Sequence, residues 1–215
     1  MAKRAIVYID GFNLYFGLKE RGWRQFYWLD MALLAANLLH PDEQLIATKY
    51  FTARISGPPD KRKRQATFLE ATQTLGKAEM YFGEYLSVPY TCPNCGTTRK
   101  QSKEKMTDVL IGVEMVADAA DESFDRAILV SADSDLSAAI EKVRKMNTAC
   151  HITVAFPPRR ASKRLRQVAH GSFTIGRGKF AKSLLPAQVV KPDGFVLTCP
   201  SHWGSTTDSA SPTTP

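Results

Sequence analysis

The chain has 215 residues, of which 44% are hydrophobic and 23% are charged. These fractions match an ordinary globular protein, so they exclude a fibrous repeat and a chain that is disordered throughout. The formal net charge of +8 favours a polyanionic partner, because clustered Lys and Arg side chains attract phosphate. No apolar run approaches the roughly 18 residues that a spanning helix needs, so we expect no membrane role.

Apolar runs alternate with amphipathic stretches along the whole chain. Taken in order, the patterns predict a strand at 5–9, helices at 13–20 and 31–39, a strand at 44–55, a helix at 60–77, a strand at 79–88, a helix at 107–120, a strand at 127–130, a helix at 134–146, a strand at 151–156 and a helix at 157–169. Such alternation indicates an α/β fold with a mostly parallel sheet and helices on both faces.

The first apolar run, Ala5 to Ile9, ends at Asp10 after five residues. It is shorter than the ~7–15 residues of a secretory signal core, so we interpret it as a strand and expect a cytoplasmic protein. The main domain is expected at 1–178 and a C-terminal extension at 179–203. The Ser/Thr/Pro-rich segment 204–215 has no large apolar residue and is expected to be disordered.

Carboxylates stand where an α/β fold binds its ligands, outside the carboxyl ends of the strands. Asp10 follows the first strand, Asp133 and Asp135 follow the strand at 127–130, and Asp108 begins a helix. Each Asp taken alone also suits a helix N-terminus. Together they predict a Mg²⁺ or Mn²⁺ site, because a hard cation takes oxygen ligands and offsets the repulsion between carboxylates. Asn13 would hold a metal-bound water or a phosphate oxygen.

Three segments that carry these residues resemble the NYN domain, in the LabA-like branch of the PIN-like nucleases. They are IVYIDGFNL at 6–14, EKMTDV at 104–109 and LVSADSDL at 129–136. The resemblance covers about residues 3–175, and it implies a Rossmann-like fold and metal-dependent endoribonuclease activity on RNA. It assigns the family's acidic positions to Asp10, Asp108 and Asp133, with Asp135 as a fourth, and the family's asparagine to Asn13. Met106 stands where a common form of the middle segment has Gly.

Basic residues form two clusters that are candidates for binding the RNA backbone. The predicted contacts are Arg54, Lys61, Arg62, Arg64, Lys105, Arg159, Arg160 and Lys163. Phosphate contacts give salt-sensitive affinity without sequence preference, whereas the alternative is that these residues form solvated helix faces. Aromatic residues between the first cluster and the middle motif could stack on an unpaired base, although their burial in the core is the favoured interpretation. They are Tyr81, Phe82, Tyr85 and Tyr90.

A Cys-x-x-Cys segment predicts half of a structural zinc site. Cys92 and Cys95 have the spacing of a zinc knuckle, which we place in an insertion at about 89–100. Cys199 and His202 have the same spacing and would complete a Cys₃His site that clips the extension onto the knuckle. Reduced thiols, ligation by Cys150 and His151, and a homodimer that shares two knuckles are the alternatives.

The sequence therefore predicts a metal-dependent endoribonuclease that hydrolyses RNA phosphodiesters. A non-catalytic RNA-binding or regulatory module on the same fold is the alternative, and its RNA affinity would survive EDTA. A phosphohydrolase with an aspartate nucleophile is disfavoured, because such enzymes usually carry a second Asp two residues on, where this chain has Phe12. Serine hydrolase chemistry has no G-x-S-x-G motif to support it.

Overall fold

The computed structural model describes residues 2–91 and 93–203, and it describes their side chains outside 85–89 and 99–105. The strands in this part of the chain are β1 (Lys3–Asp10), β2 (Glu43–Ala53), β3 (Glu79–Thr91), β4 (Thr98–Lys105), β5 (Arg126–Val130), β6 (His151–Phe156), β7 (Gly171–Thr174), β8 (Gln188–Val190) and β9 (Val196–Thr198). The helices are α1 (Gly11–Arg21), α2 (Met31–Leu38), α3 (Pro59–Leu75), α4 (Thr107–Ala120), α5 (Ser137–Met146), α6 (Lys163–Val168) and α7 (Arg177–Ala181).

The main sheet has the strand order β4-β3-β2-β1-β5-β6-β7. Its strands run parallel except β4, which is antiparallel to β3. Strands β8 and β9 form a separate antiparallel pair. The predicted α/β fold with a mostly parallel sheet is therefore confirmed.

Two hydrophobic cores lie on the two faces of the sheet, as predicted for a sheet covered on both sides. Val7 and Ile9 of β1 pack in the core formed with α1, α2 and α3. Ile6 and Tyr8 of the same strand pack in the core formed with α4, α5 and α6. Alternate residues of β1 thus enter different cores, which explains why this strand reads as a continuous apolar run.

Local sequence signals set the ends of the first two helices. The carboxylate of Asp10 accepts from the backbone N of Asn13 and caps α1, and Gly22 ends that helix with φ of 76°. The carboxylate of Asp30 caps α2 by accepting from the backbone N of Leu33. Helix α3 begins at Pro59, with Asp60 in its first turn, and proline suits a first helical turn.

Several elements differ from the prediction, and β7, α7, β8 and β9 have no predicted counterpart. Residues 98–105 form β4, a hairpin partner of β3. The segment 134–146 begins as a 3₁₀ turn, Ser134–Leu136, before α5. The helix expected at 157–169 is shortened to α6, because the pair Pro157 and Pro158 opens a turn and Ser162 caps the helix.

The segment 179–203 packs against the same core as α1, α2 and α3. Phe180, Leu185, Val189 and Leu197 are buried there, and the expected boundary at 178 lies inside α7. The strands β8 and β9 lie against α3. The expected disorder of 204–215 falls outside the described residues. Within the described ranges, no helix has both the length and the apolar character to cross a membrane.

Candidate active site at the carboxyl edge of the sheet

The carboxyl ends of β1 and β5 lie side by side. Ile9 pairs with Val130, so Asp10 and Ser131 come next on the two neighbouring strands. The strand order changes direction at this point, since β2 and β3 lie on one side and β6 and β7 on the other. Open α/β sheets bind ligands in the crevice at such a switch point. The topology therefore brings the residues that follow these two strands to one edge of the sheet.

Asp10 is only 2% exposed, and its carboxylate accepts hydrogen bonds from neutral donors. Its Oδ1 accepts from the backbone N of Asn13 at 2.9 Å, and its Oδ2 accepts from Asn13 Nδ2 at 2.9 Å and from Ser131 Oγ at 2.8 Å. Burial raises the pKa of Asp10, these hydrogen bonds lower it by less, and the charge of Asp133 raises it further. A carboxylate has about four lone-pair positions, so one remains for another ligand.

Asn13 lies between this buried carboxylate and the guanidinium group of Arg160 at the edge of the sheet. Its Oδ1 accepts from the backbone N of Ala132 at 3.3 Å and from Arg160 Nη1 at 3.4 Å. Arg160 also pairs with Glu20 at 2.5 Å, and its guanidinium lies over the ring of Phe16, 5.6 Å from the centroid. The predicted RNA-binding residue Arg160 is therefore held directly beside the predicted catalytic residue Asn13.

A strained turn after β6 carries Arg160. The backbone N of Arg160 donates to Pro157 at 3.1 Å, and Arg159 has φ of 61°, which is uncommon for a residue with a side chain. The turn lies against α1 at Gly17, where a Cβ would be 2.7 Å from Pro157 Cβ and 2.8 Å from the Pro158 carbonyl oxygen. The close approach of the turn therefore depends on glycine at this position.

The other predicted catalytic carboxylates lie near the start of α4 and α5. Asp133 is half-buried and caps the 3₁₀ turn by accepting from the backbone N of Asp135 at 3.0 Å, while Asp108 and Asp135 line a groove between α4 and α5. Among the described residues, no three His, Cys, Asp or Glu side chains are grouped as ligands of one ion. The structure brings Asp10 close to Asp133 and brings Asp108 to the same groove as Asp135.

The predicted RNA-binding residues surround this edge. Arg54 directly follows β2, and α3, which begins at the same edge, carries Lys61, Arg62 and Arg64 in its first turns. Arg159 and Arg160 follow β6, and Lys163 begins α6. These side chains are exposed or half-exposed, and we call this set of basic residues at the edge of the sheet the basic rim. Lys105 ends β4, and its side chain lies outside the described ones.

The predicted stacking aromatics divide between core and surface. Tyr81 stacks on Phe51 with 4.8 Å between the ring centroids and packs against the core. Phe82 is exposed, with the guanidinium of Arg54 5.4 Å from its centroid, and Tyr90 is exposed on the hairpin. The side chain of Tyr85 lies outside the described ones.

An aromatic cavity of about 160 Å³ lies next to Asp10, since Gly11 lines it. Its lining includes Gly11, Tyr15, Tyr27, Tyr50, Thr52 and Trp203. Gly11 allows this proximity, because a Cβ there would lie 2.8 Å from the Tyr50 hydroxyl. Burial raises the pKa of Tyr50 to about 12, a hydrogen bond with Thr52 lowers it, and the negative charge of Asp10 raises it. The floor of the cavity therefore adjoins the Asp10 carboxylate.

Among the described residues, the predicted zinc ligands Cys95, Cys199 and His202 are not grouped as ligands of one ion. Strand β3 pairs with β2 only up to Gly83, so the hairpin that carries Cys95 extends past the edge of the sheet, by about 26 Å at 3.3 Å per residue. Cys199 packs against the core near α3, and His202 contacts Arg24 at 3.0 Å. Cys92 lies outside the described residues, so zinc binding by Cys92 and Cys95 stays a prediction.

Two parts of the site, Ser131 and the aromatic cavity, were not predicted from the sequence. Ser131 binds Asp10, and its position one residue after a strand that neighbours β1 was the available signal. The aromatic cavity draws Tyr27, Tyr50 and Trp203 from distant parts of the chain, and the cluster of aromatic residues directly after Asp10 was its only local sign.

Comparison with known proteins places the chain in a family and a fold. A family model of the NYN domain matches residues 4–176. The chain is 25% identical to the 6-hydroxy-3-succinoylpyridine 3-monooxygenase of Pseudomonas putida over an alignment of 239 positions, which covers 89% of this chain and 75% of the relative. A crystal structure of a protein of unknown function from Vibrio parahaemolyticus matches with a TM-score of 0.54 and 22% identity, over 86% of this chain and 97% of that one. The last match concerns the fold alone.

Proposed function

Since the chain belongs to the NYN domain family, which implies a PIN-like nuclease fold, we propose that it is a metal-dependent endoribonuclease of the LabA-like branch. The observation that carries the proposal is the buried Asp10 carboxylate, held by the neutral donors of Asn13 and Ser131 beside a second carboxylate, Asp133. Burying an ionised carboxylate without a counter-charge is costly, so this arrangement favours a bound cation.

The oxygen donors at the edge suit Mg²⁺ or Mn²⁺. Asp10 and Asp133 would hold the ion, and this needs no group of three carboxylates, since Mg²⁺ commonly takes one or two and keeps several waters. When bound, such an ion lowers the pKa of a water and offsets negative charge at the phosphate. Asp135 would orient or deprotonate the attacking water, and Asp108 would join the shell through water.

The remaining residues would hold the RNA. Arg160, which already contacts the Asn13 amide, would bind the scissile phosphate together with Asn13, because guanidinium groups pair well with phosphate oxygens. Backbone contacts would come from the rest of the basic rim, which consists of Arg54, Lys61, Arg62, Arg64, Arg159 and Lys163, with Lys105. A non-catalytic RNA-binding module would use the same rim without the metal.

A second candidate function follows from the aromatic cavity. The Pseudomonas putida relative is named for a monooxygenation of a hydroxypyridine, and a cavity of about 160 Å³ has the size of one that holds a single benzene ring. An enzyme that acts on a small heteroaromatic ring would bind free hydroxypyridine saturably. Quenching of tryptophan fluorescence would report this binding, because Trp203 lines the cavity.

RNA cleavage by the Asp133→Asn variant tests the proposed function. Purified protein should cleave a labelled RNA with Mg²⁺ or Mn²⁺ and not with EDTA. Asp133→Asn should reduce the rate by at least about 100-fold, beyond what loss of an outer-shell partner usually costs. The fold should persist, because Asn caps a turn about as well as Asp.

Asp121→Asn is the matched control, since Asp121 is an exposed residue at the opposite end of α4, and it should cleave normally. Cleavage that survives EDTA, or normal cleavage by folded Asp133→Asn, would contradict the proposal. RNA binding without cleavage in any metal would favour the non-catalytic module.

A further inference from the structure

We infer that the aromatic cavity beside Asp10 binds one unstacked base of an RNA strand, so that the substrate is unpaired at that position. The inference rests on the proposed function and specifies its substrate. The size of the cavity is the first argument for it. At about 160 Å³, the cavity is close to one of 150 Å³ that holds benzene, so it fits a single planar ring system and excludes a base pair.

The lining of the cavity has the composition of a ring-binding site. Its rim contains the side chains of Tyr15, which is 41% exposed, and of the half-buried Tyr27 and Trp203. Its floor presents the buried hydroxyl groups of Tyr50 and Thr52. A mainly apolar wall with a few buried polar groups is typical of small-ligand sites, and the two hydroxyls can meet the polar edge of a base.

Positively charged side chains at the rim of the cavity indicate that the ligand whose ring enters the cavity is an anion. Lys19 and Arg160 both lie over the ring of Phe16, at 5.8 and 5.6 Å from its centroid, and Phe16 lines the cavity. The charge of Arg24 lowers the pKa of Tyr27, although burial and Tyr15 raise it overall, to about 12. Aromatic rings between cations that track a phosphate backbone are the pattern of single-strand binding.

The wall of the cavity also extends from the basic helix α3 to the residue next to Asp10. Gln65 lines the cavity and ties α3 to the end of β2, since it donates to the Ala53 carbonyl and accepts from the Ile55 backbone N, both at 2.9 Å. On the other side, Gly11 adjoins Asp10. A strand that follows the basic residues of α3 toward Asp10 therefore passes the mouth of the cavity.

A base enters such a cavity only after it leaves its stack, and this is cheapest in RNA that is already single-stranded. The geometry therefore selects single strands and loops over duplex, whatever the sequence. Pairing would hide the ring, because both the rim and the floor need to contact it.

An abasic scan of a single-stranded RNA tests the inference. We would take the shortest uridine oligomer that binds with full affinity, because an oligomer of that length cannot avoid an abasic site by shifting its register. We would place one abasic site at each successive position of it and measure the Kd for the full chain in EDTA, so that no cleavage occurs. One position should weaken binding by about fivefold to 100-fold, the range of base–aromatic stacking, and the others should change it little. A duplex of the same length should bind more weakly than the single strand.

Two tyrosine variants test whether the base lies in the cavity. In Tyr27→Ala and in Tyr15→Ala, the position-specific abasic penalty should disappear. Phe195→Ala is the matched control, because Phe195 is 61% exposed with a lysine over its ring and lies outside the cavity, and it should keep the penalty. Equal Kd values at every abasic position, or a penalty that survives both tyrosine variants, would overturn the inference.

Cleavage of the same RNAs with Mg²⁺ separates the two proposals. Cleavage without a position-specific penalty would leave the nuclease proposal standing and overturn the base site. A penalty without cleavage would support the base site and contradict the nuclease. Saturable binding of free hydroxypyridine together with a uniform abasic scan would assign the cavity to a small ring compound and overturn the inference.

Discussion

The Lys49 cluster and the Asp10 cluster both hold carboxyl groups close to β1, half-buried in the first and, at Asp10, buried in the second, but they balance the negative charge differently. The Lys49 cluster consists of Lys49, Tyr8, Glu114 and Asp118, between the sheet and α4. The ammonium group lies 2.7 Å from Glu114 and 2.7 Å from Asp118, and the Tyr8 hydroxyl donates to Asp118 at 2.6 Å. Desolvation lowers the pKa of Lys49, but its hydrogen bonds with Asp118 and Glu114 raise it above the usual range.

The Asp10 cluster consists of Asp10, Asn13, Ser131 and Asp133, at the carboxyl edge of the sheet. The described partners of the buried carboxylate are an amide N–H of the backbone, a side-chain amide and a hydroxyl. Its pKa is raised because burial outweighs these neutral donors. The chain thus neutralises the Lys49 cluster with its own ammonium group, whereas the described hydrogen-bond partners of Asp10 are neutral dipoles.

This difference separates a structural cluster from a candidate ligand site. A carboxylate paired inside the fold is already satisfied, and removing its partner would leave an unbalanced buried charge. A carboxylate held by dipoles is oriented while its charge still attracts a cation. The two clusters should therefore respond to substitution in opposite ways, one in stability and the other in metal binding and activity.

The largest expected effect on stability is that of Lys49→Met. The substitution leaves Glu114 and Asp118 facing each other without their cation, and breaking a buried pair in this way costs about 3–5 kcal/mol. Urea unfolding followed by circular dichroism at pH 7 measures the loss. The triple variant Lys49→Met, Glu114→Gln, Asp118→Asn should recover part of it, because it removes the charges together. A loss below about 1 kcal/mol, the value of an exposed pair, would show that the cluster is solvated.

A smaller effect is expected from Gly17→Ala, which tests the packing behind the Asp10 cluster. The added methyl group would meet Pro157 and the Pro158 carbonyl at under 3 Å, and overpacking of this kind costs about 1–3 kcal/mol. The turn that carries Arg160 should move away from Asn13, so RNA cleavage should fall as well as the free energy of unfolding.

Gly112→Ala is the matched control in α4, the helix that supplies Glu114 and Asp118. Its Cβ would be 3.5 Å from Ala139 Cβ, an ordinary contact, so the better helix propensity of Ala should stabilise the protein by up to about 1 kcal/mol. Urea unfolding of the two variants side by side measures the difference. Equal effects of both substitutions would show that the turn is not held by the close approach at Gly17.

The sequence was sufficient to predict the position of the carboxylate edge. The run from Ala5 to Ile9 has no polar residue and packs on both faces, and Asp10 at its end follows from the periodicity alone. Parallel strands place their carboxyl ends on one side of the sheet. If β1 and β5 are neighbours, Asp10 must therefore lie close to the residues that follow β5.

The hairpin and the cavity could not be predicted in the same way. Strand β4 reads Thr-Arg-Lys-Gln-Ser-Lys-Glu-Lys, with no apolar alternation, and only its pairing with β3 makes it a strand. The cavity depends on tertiary contacts between Tyr27, Tyr50 and Trp203, which no local pattern relates to one another. Ser131 was only weakly indicated as a site residue, because a serine that follows a strand can have many structural roles.

The smallest expected effect is the pH dependence that Asp10 gives to stability. Its pKa is raised in the folded protein because burial disfavours the ionised form. A carboxyl group with a raised pKa stabilises the fold fully below its unfolded pKa, near 3.9, and this stabilisation is lost as the pH rises through the folded pKa. The free energy of unfolding of the wild type should therefore fall relative to that of Asp10→Asn between about pH 4 and neutrality.

Asp125→Asn is the control, because Asp125 is paired rather than buried and its effect on stability should depend on pH in the opposite direction. Hydrogen bonds from the side chain and the backbone of Arg4 lower the pKa of Asp125, so Asp125 stabilises the fold above its unfolded pKa and loses that effect as the pH falls. Urea unfolding should show Asp10→Asn diverging from wild type above about pH 4 and Asp125→Asn diverging from it below about pH 4, in opposite directions. Added Mg²⁺ should stabilise the wild type at neutral pH and not Asp10→Asn, because the ionised carboxylate binds the cation only in the fold. Curves parallel to wild type for Asp10→Asn, with no effect of Mg²⁺, would mean that the buried carboxylate carries no charge for a metal to balance.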